Sequence, residues 1–446
     1  MKNGFITARG WRAGAWIALY FALVAAPLLM LLAGPLPKGG GRAWDFAMAL
    51  GFGGLAVMGL QFVLTARFRR ATAPFGIDII YYFHRYAALV AIGLVLAHYL
   101  ILRFAYTDAI GPASPLAAPW HMTAGRISLG LFLVLIVSSL GRKWLRLEYD
   151  AWRIGHAVMA VAAMVLAIVH IMGVGHYTAA AWRGTVWTGY SAVWLLVVGY
   201  IRGWRPWGLR RRPYRVVSVQ AERGRSWTVT LEPEGGRAPL RFRPGQFAWL
   251  SLGCSPFRAR EHPFSFSGSA ADPRRLQFTI KELGDFTRTI GTVPPGTVAY
   301  VDGPHGVFST DLFPDSPGFV FVAGGVGMAP IMCMLRTLAD RGDRRPLRLV
   351  HGSRRWEDVL FREEVEALSG RLNLQVFHVL QEPPPDWTGG TGVLSEDVIG
   401  PVIAPRAATD VFFLCGPKPM TESVQRTLRR QGVPLRRIQT ELFDMA

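Results

Sequence analysis

Apolar residues are unevenly spread along this chain. Up to residue 203 they gather into six long runs, near 13–35, 46–66, 79–102, 123–141, 154–174 and 184–201. Such runs match the ~20 apolar residues a helix needs to cross a hydrocarbon core. The fourth is the weakest, because Arg126 interrupts it near its start. After the Arg-rich, proline-containing stretch 205–213 the pattern changes. YRVVSVQ, SWTVTLEP, FAWLSLG and LQFTIKE are short strand-like segments split by Gly, Pro and charged turns. They predict a small antiparallel barrel running to about residue 315. From Gly318 the order becomes strand, glycine loop, helix, strand: FVFVAGG, VGMAPIMCMLRTLAD, LRLVHGS, an acidic amphipathic helix, LNLQVFHVL and DVFFLCGP. That order predicts a doubly wound parallel sheet of nucleotide-binding type. Three parts are expected: a six-helix transmembrane bundle over 1–210, an antiparallel β-barrel over 211–315 and an α/β domain over 316–446.

Composition agrees with a membrane protein carrying a globular part, since 51% of its 446 residues are hydrophobic. A net charge of +19 invites a nucleic-acid partner. Its placement argues against one, because much of the excess sits in loops beside apolar runs, where it meets anionic membrane lipid. Arg67, Arg69 and Arg70 follow the second run, and Arg142, Lys143 and Arg146 the fourth. Arg202, Arg205, Arg210, Arg211 and Arg212 follow the sixth, whereas the alternate loops carry chiefly Lys38, Arg42 and Arg183. The positive-inside rule then places both termini, and the globular part, in the cytoplasm, with the chain multi-pass in the plasma (inner) membrane. Lys2, Arg9 and Arg12 precede the first run as in a signal peptide, but that run is long and lacks a clear small-x-small cleavage site. A retained first helix is expected. Cys254, Cys333 and Cys415 are scattered. They form neither a disulfide framework nor a zinc pattern, nor the four-ligand set an iron–sulfur cluster generally needs.

Ionisable groups inside apolar helices are costly and point to function. His84 and His98 lie in the third run and His156 and His170 in the fifth, each pair fourteen residues apart. At ~100° and ~1.5 Å per residue, fourteen steps return to within about 40° of the same face and climb roughly 21 Å. Two such helices facing each other offer two bis-imidazole sites, one near each membrane surface, which is a ladder for two b-type haems. With both termini inside, His84 pairs with His156 on the inner side and His98 with His170 on the outer. Arg85 and Arg153 at the inner level, and Arg103 and Arg126 at the outer, are candidate partners of haem propionates or of lipid phosphate. Met164 lies midway between His156 and His170, either between the haems or as ordinary core. His121 and His176 fall in expected outer loops, as solvated residues or as groups that bind iron or donate a proton.

In the globular part, Gly324, Gly325 and Gly327 separate a strand from a helix and let backbone amides approach a pyrophosphate. The next strand ends in Ser353, Arg354 and Arg355, where an NAD site often shows an acid. A basic residue there accommodates a 2′-phosphate, which favours NADPH as donor and leaves NADH as the second choice.

These features resemble the NADPH oxidase and ferric reductase superfamily over nearly the whole chain. His262-Pro263-Phe264-Ser265 is similar to its flavin motif, which implies an FAD-binding barrel with Ser265 at the reactive edge of the ring. Gly284-Asp285-Phe286-Thr287 resembles its flavin-pyrophosphate segment, with Thr287 and backbone amides as donors. DGPHG at 302–306 resembles an acidic-Gly-Pro-aromatic-Gly turn, with His305 at the aromatic position. GGVGMAP at 324–330, ending in Pro330, and CGPKPM at 415–420, opening on Cys415, Gly416 and Pro417, resemble nicotinamide-nucleotide motifs and imply Cys415 near the nicotinamide. Glu441-Leu442-Phe443-Asp444 resembles the carboxy-terminal aromatic, so that Phe443 would stack on the flavin.

The resemblance implies a haem-binding bundle on a ferredoxin-NADP reductase-like module. Its function would be to pass electrons from cytoplasmic NADPH through FAD and two haems to an outside acceptor. Oxygen, giving superoxide, is the first acceptor expected, and a ferric chelate is the close competitor. A relay to a periplasmic electron-acceptor protein is a third reading, and a flavodehydrogenase on an inert anchor a fourth.

Overall fold

The computed structural model describes residues 4–33, 40–68, 75–258 and 260–441. The chain divides into two compact units, with the division between Pro206 and Trp207. In the first unit six helices are long and apolar enough to cross a membrane. They are α1 (Gly4–Leu32), α2 (Arg42–Thr65), α3 (Ile77–Ala105), α4 (Trp120–Leu140), α5 (Tyr149–Val174) and α6 (Ala181–Gly199). Their outward faces stay apolar, with Phe104, Val158 and Leu196 exposed, as lipid rather than water requires.

The most enclosed helix is α2, whose glycines explain why. An added Cβ at Gly54 would press on the Ala91 carbonyl and the Val95 side chain, and one at Gly59 would run into the Trp194 ring. Small residues at helix crossings let backbones approach where no hydrophobic drive separates protein from solvent. The fourth helix keeps Arg126 inside it. Its guanidinium folds back to donate to the carbonyls of Ile110 (2.9 Å), Pro112 (2.8 Å) and Ala113 (3.3 Å). The sixth run does not break at the Arg-rich stretch. It continues as a π-turn, Tyr200–Trp204, into a helical segment, Arg205–Arg210. Pro206 cannot donate to the carbonyl four residues back, and a widened turn relieves the clash its ring would cause there.

The second unit holds two sheets. The first contains β1 (Tyr214–Glu222), β2 (Ser226–Pro233), β3 (Phe247–Leu252), β4 (His262–Ser265), β5 (Leu276–Lys281) and β6 (Val298–His305), ordered β4-β3-β6-β1-β2-β5. All its pairings are antiparallel. A single bridge, Phe266 to Phe278, joins its two ends. The sheet thus curls into a half-barrel whose ends meet at one bridge rather than along paired strands, where the sequence pattern suggested a barrel. The second sheet is parallel, ordered β10-β9-β8-β7-β11-β12. Its strands are β7 (Phe319–Gly324), β8 (Leu347–Ser353), β9 (Leu374–Leu380), β10 (Gly390–Thr391), β11 (Val411–Cys415) and β12 (Ile438–Glu441). Helix α7 (Met328–Asp340) follows β7, and α8 (Arg362–Ser369), α9 (Glu396–Ile403) and α10 (Lys418–Arg430) complete the layers. Strand order reverses at β7, so the crevice at its carboxyl end is the ligand position of this topology.

The half-barrel and α7 share a core. Cys333 of α7 is fully buried among half-barrel residues, and its sulfur accepts from the Gly245 amide at 3.4 Å. Burial pushes that thiol up to about 12. Arg336, three residues on, donates to the Ser267 carbonyl (2.8 Å) and pairs bidentately with Glu364 of α8 (2.7 and 2.6 Å). Thr337 accepts from the Ala270 amide at 2.9 Å.

Candidate functional site

In the membrane unit the histidines are placed by helix pairing. His98 of α3 comes back beside the start of α2, with Nδ1 2.8 Å from the Ala47 carbonyl oxygen. His170 of α5 comes back beside the start of α4, with Nδ1 3.1 Å from the His121 carbonyl oxygen. A carbonyl only accepts, so both Nδ1 atoms carry hydrogen and both Nε2 atoms keep a lone pair. The two rings line one apolar cavity of about 1220 Å³, open mouth included, together with Phe52, Leu129 and Phe132. His84 and His156, fourteen residues earlier on the same two helices, form a second level. Nδ1 of His156 lies 3.3 Å from Ser139 Oγ. That hydroxyl gives its own hydrogen to the Leu135 carbonyl, so it accepts from the imidazole. The buried Nδ1 of His84 has no hydrogen-bond partner among the described residues.

Neighbouring residues differ from expectation in instructive ways. His121 sits in the first turn of α4 rather than in a loop. His176 is half-buried, with ring contacts to Trp44 (5.7 Å) and Tyr177 (4.9 Å), and lines the cavity. Arg126 spends its donors on loop carbonyls. Arg153 lies 3.9 Å from Asp150 and over the Tyr149 ring, whereas Arg85 and Arg103 are exposed. Met164 is core, 1% exposed.

In the half-barrel, β4 carries the HPFS residues. The His262 ring stacks on Phe286 at 4.0 Å and 18°, and Phe264 lies parallel to the same ring at 6.2 Å. Pro263 is in register with Trp249. Ser265 is 4% exposed, and its hydroxyl has no hydrogen-bond partner among the described residues. Gly284 opens the short turn that Thr287 closes: the Thr287 hydroxyl accepts from the amides of Leu283 and Gly284 (both 2.8 Å) and donates to the Gly284 carbonyl. Thr287 therefore spends its hydrogen inside its own turn rather than offering it outward. His305 fills the aromatic position as an aromatic, buried against Phe247 and Trp249.

At the switch point two loops interlock. A Cβ on Gly327 would strike the Cys415 carbonyl, and one on Gly416 would lie 3.0 Å from the Gly324 nitrogen. Gly325 adopts φ +54, a conformation glycine takes without strain. Pro330 follows within the first turns of α7, and a Cβ on Gly324 would meet Pro417 at 3.0 Å. Cys415 is fully buried in the core beneath this crevice, and burial, with Glu441 adding, pushes its thiol well up. At the end of β8, Ser353 is 8% exposed, with a hydroxyl that has no hydrogen-bond partner among the described residues. Arg354 and Arg355 both turn Nε toward Glu382, at 2.8 and 2.7 Å. Those guanidiniums hold its carboxyl below the ordinary value. Phe443 lies outside the described residues.

Sequence reasoning missed a histidine pair in the parallel sheet. His351 and His378 are register partners on β8 and β9, their rings 5.8 Å apart. Both ring nitrogens of His351 are buried without a hydrogen-bond partner among the described residues, and burial, with His378 adding, pushes it down to about 3. It missed the Arg336 latch and Glu382 for the same reason: their meaning lies in partners distant in sequence.

Two family models match separate parts of the chain. The one described as a ferric reductase like transmembrane component matches residues 50–167, and the oxidoreductase NAD-binding domain matches residues 321–426. The chain belongs to the NADPH oxidase and ferric reductase superfamily. In this superfamily member a ferric-reductase-like membrane domain precedes an FAD/NAD-binding reductase module. The chain is similar to NADH-cytochrome b5 reductase 1 of Laccaria bicolor, 31% identical over 38% of this chain, and spans 57% of that relative's length. It is 32% identical to the probable dihydroorotate dehydrogenase B (NAD(+)) electron transfer subunit of Methanopyrus kandleri, over 50% of this chain and 76% of that one. The flavohaem-like FAD/NAD binding domain of nitric oxide dioxygenase from Vibrio cholerae superposes with TM-score 0.47 and 22% identity, over 52% of this chain and 98% of that one.

Proposed function

We propose that this superfamily member moves electrons from cytoplasmic NADPH, by way of FAD and two b-type haems, to a one-electron acceptor outside the membrane. The parts are the haem domain 1–210, the FAD domain 211–315 and the NADPH domain 316–446. The observation that carries the reading is the pair His98 and His170, which share one apolar cavity with Nδ1 committed to carbonyls and Nε2 left as ligand atom. That donor set fits haem iron, whose histidine ligands keep their second nitrogen hydrogen-bonded. His84 and His156 would hold the second haem.

In the module, the unspent hydroxyl of buried Ser265 fits a polar flavin edge. His262, Pro263 and Phe264 would flank the ring, and the turn that Gly284 opens and Thr287 closes would lie against the pyrophosphate, its Leu283 and Gly284 amides held by the Thr287 hydroxyl. Gly324, Gly325, Gly327, Pro330, Gly416 and Pro417 would bound the nucleotide crevice. Ser353 and Arg354 would take the ribose or its 2′-phosphate, with NADPH ahead of NADH. Cys415 beneath the nicotinamide and Phe443 against the flavin complete the assignment. When bound, the flavin takes the two electrons of a hydride from the nicotinamide, and each haem iron carries one. The chain's own work is positional: Ser265 holds the ring edge, the interlocked glycine loops seat the nucleotide, and apolar side chains keep water from the histidine cavity.

Two histidines per iron would leave no open coordination position, so an acceptor would have to take its electron at the haem edge. Oxygen, giving superoxide, is the acceptor proposed; a ferric chelate or a periplasmic protein is the alternative. The test is NADPH-driven turnover by haem- and FAD-loaded protein in sealed vesicles of known orientation. Superoxide dismutase-sensitive cytochrome c reduction on the side opposite the flavin supports the oxidase. Slow oxygen use with fast chelate reduction makes it a ferric reductase. Reduced haems with neither acceptor turning over points to the protein partner.

A further inference from the structure

The two histidines of the shared cavity are braced in the same way by two different helices. The carbonyl that receives His98 belongs to Ala47, and Gly51 lies one turn further along α2; a Cβ there would sit 3.0 Å from His98 Nδ1. The carbonyl that receives His170 belongs to His121, and Gly125 lies one turn further along α4; a Cβ there would sit 2.7 Å from His170 Nδ1. In each helix the carbonyl at position i already accepts the amide at i+4. With glycine at i+4, no side chain covers the second lone pair of that carbonyl, and an imidazole from the neighbouring helix reaches it. The arrangement occurs twice, at the same four-residue offset. The level of His84 and His156 has no equivalent: Ser139 accepts from His156 at 3.3 Å, and His84 Nδ1 has no partner among the described residues.

We propose that Gly51 and Gly125 are positioning residues that hold His98 and His170 against helix carbonyls, and that they thereby set the iron at this level to a lower potential than the iron at His84 and His156. The inference rests on the haem reading of the four histidines. A carbonyl accepting from Nδ1–H makes the opposite nitrogen a stronger donor, which favours the ferric over the ferrous state. The couple is one electron with no proton gained or lost at Nδ1. Alanine at either glycine pushes the ring off its carbonyl, weakens the donor and raises the potential of that iron alone.

The test is an optical redox titration of the full-length, haem-loaded protein, with haem content measured in parallel. Wild type is expected to show two one-electron components. Gly51→Ala and Gly125→Ala should raise the lower one by about tenfold in the reduced-to-oxidised ratio at fixed potential, about 59 mV for one electron, with the upper one unmoved. Gly93→Ala in α3 and Gly130→Ala in α4 should move neither, because nothing lies within 4 Å of a Cβ at either position. Ser139→Ala gives an independent arm should the glycine variants lose haem, and should raise only the upper component. A lower component unmoved in both glycine variants at full haem content overturns the proposal, as does a Ser139→Ala shift in the lower component. Loss of the upper rather than the lower component in His98→Ala also overturns it. Retention of both haems by His98→Ala is a separate result, which removes the ligand assignment itself.

Discussion

At the scale of single residues, burial decides which groups titrate and react. His351 is neutral in the fold, pushed down to about 3, whereas an unfolded chain protonates its histidines near the ordinary value. The unfolded state therefore binds more protons between those two values, and stability falls as pH drops through that window. One such group contributes a slope of about 1.4 kcal/mol per pH unit. His351→Leu should flatten the acid limb of the stability profile of the reductase module; an unchanged slope in chemical denaturation at several pH values would show that His351 is not its source. The thiols follow the same logic. Cys333 and Cys415 are fully buried with raised values, whereas Cys254 is partly exposed. Maleimide should label Cys254 alone in the native protein, and mass spectrometry of the labelled peptides checks this. Arg354→Ala should raise KM for NADPH by about tenfold, a charge-assisted contact being worth roughly 1.5 kcal/mol or more, while KM for NADH stays within a factor of two. Equal effects on both donors would move the 2′-phosphate elsewhere.

At the scale of elements, the two glycine loops at the switch point act as one part. Gly327→Ala drives a methyl into the Cys415 carbonyl, so flavin reduction by NADPH should fall at least tenfold while FAD content is kept. Stopped-flow absorbance with parallel flavin quantitation separates the two. Helices were the most legible elements, because long apolar runs admit few other structures. The fourth span tolerates Arg126 near its start, where the carbonyls of Ile110, Pro112 and Ala113 accept from the guanidinium, a partnership no local pattern encodes. β4 and β6 escaped notice because the first is four residues long and the second ends in Asp-Gly-Pro-His, which reads as a turn. The histidine spacing placed four imidazoles correctly on α3 and α5, yet their carbonyl partners come from α2 and α4, outside any periodicity argument. In the module the motifs are legible as sequence, but the occupation of Thr287 by its own turn and the burial of Cys415 emerge only from packing.

At the scale of the whole molecule, two units have separate cores. Residues 207–446 expressed alone should fold cooperatively, bind FAD without haem and reduce ferricyanide with NADPH. Aggregation without a thermal transition would mean that the membrane unit is needed for folding. Within the module the situation is reversed. Helix α7 begins at the nucleotide crevice and packs along the parallel sheet through Met328, Leu335 and Leu338, while its Cys333, Arg336 and Thr337 reach the half-barrel. Such a helix makes the two halves inherit each other's defects. A mutational screen for flavin loss should recover changes in α7, far along the chain from any flavin motif. Recombination between relatives should succeed at the seam before Trp207 and fail at the boundary between half-barrel and parallel sheet, so that lineages exchange this electron supply whole or not at all.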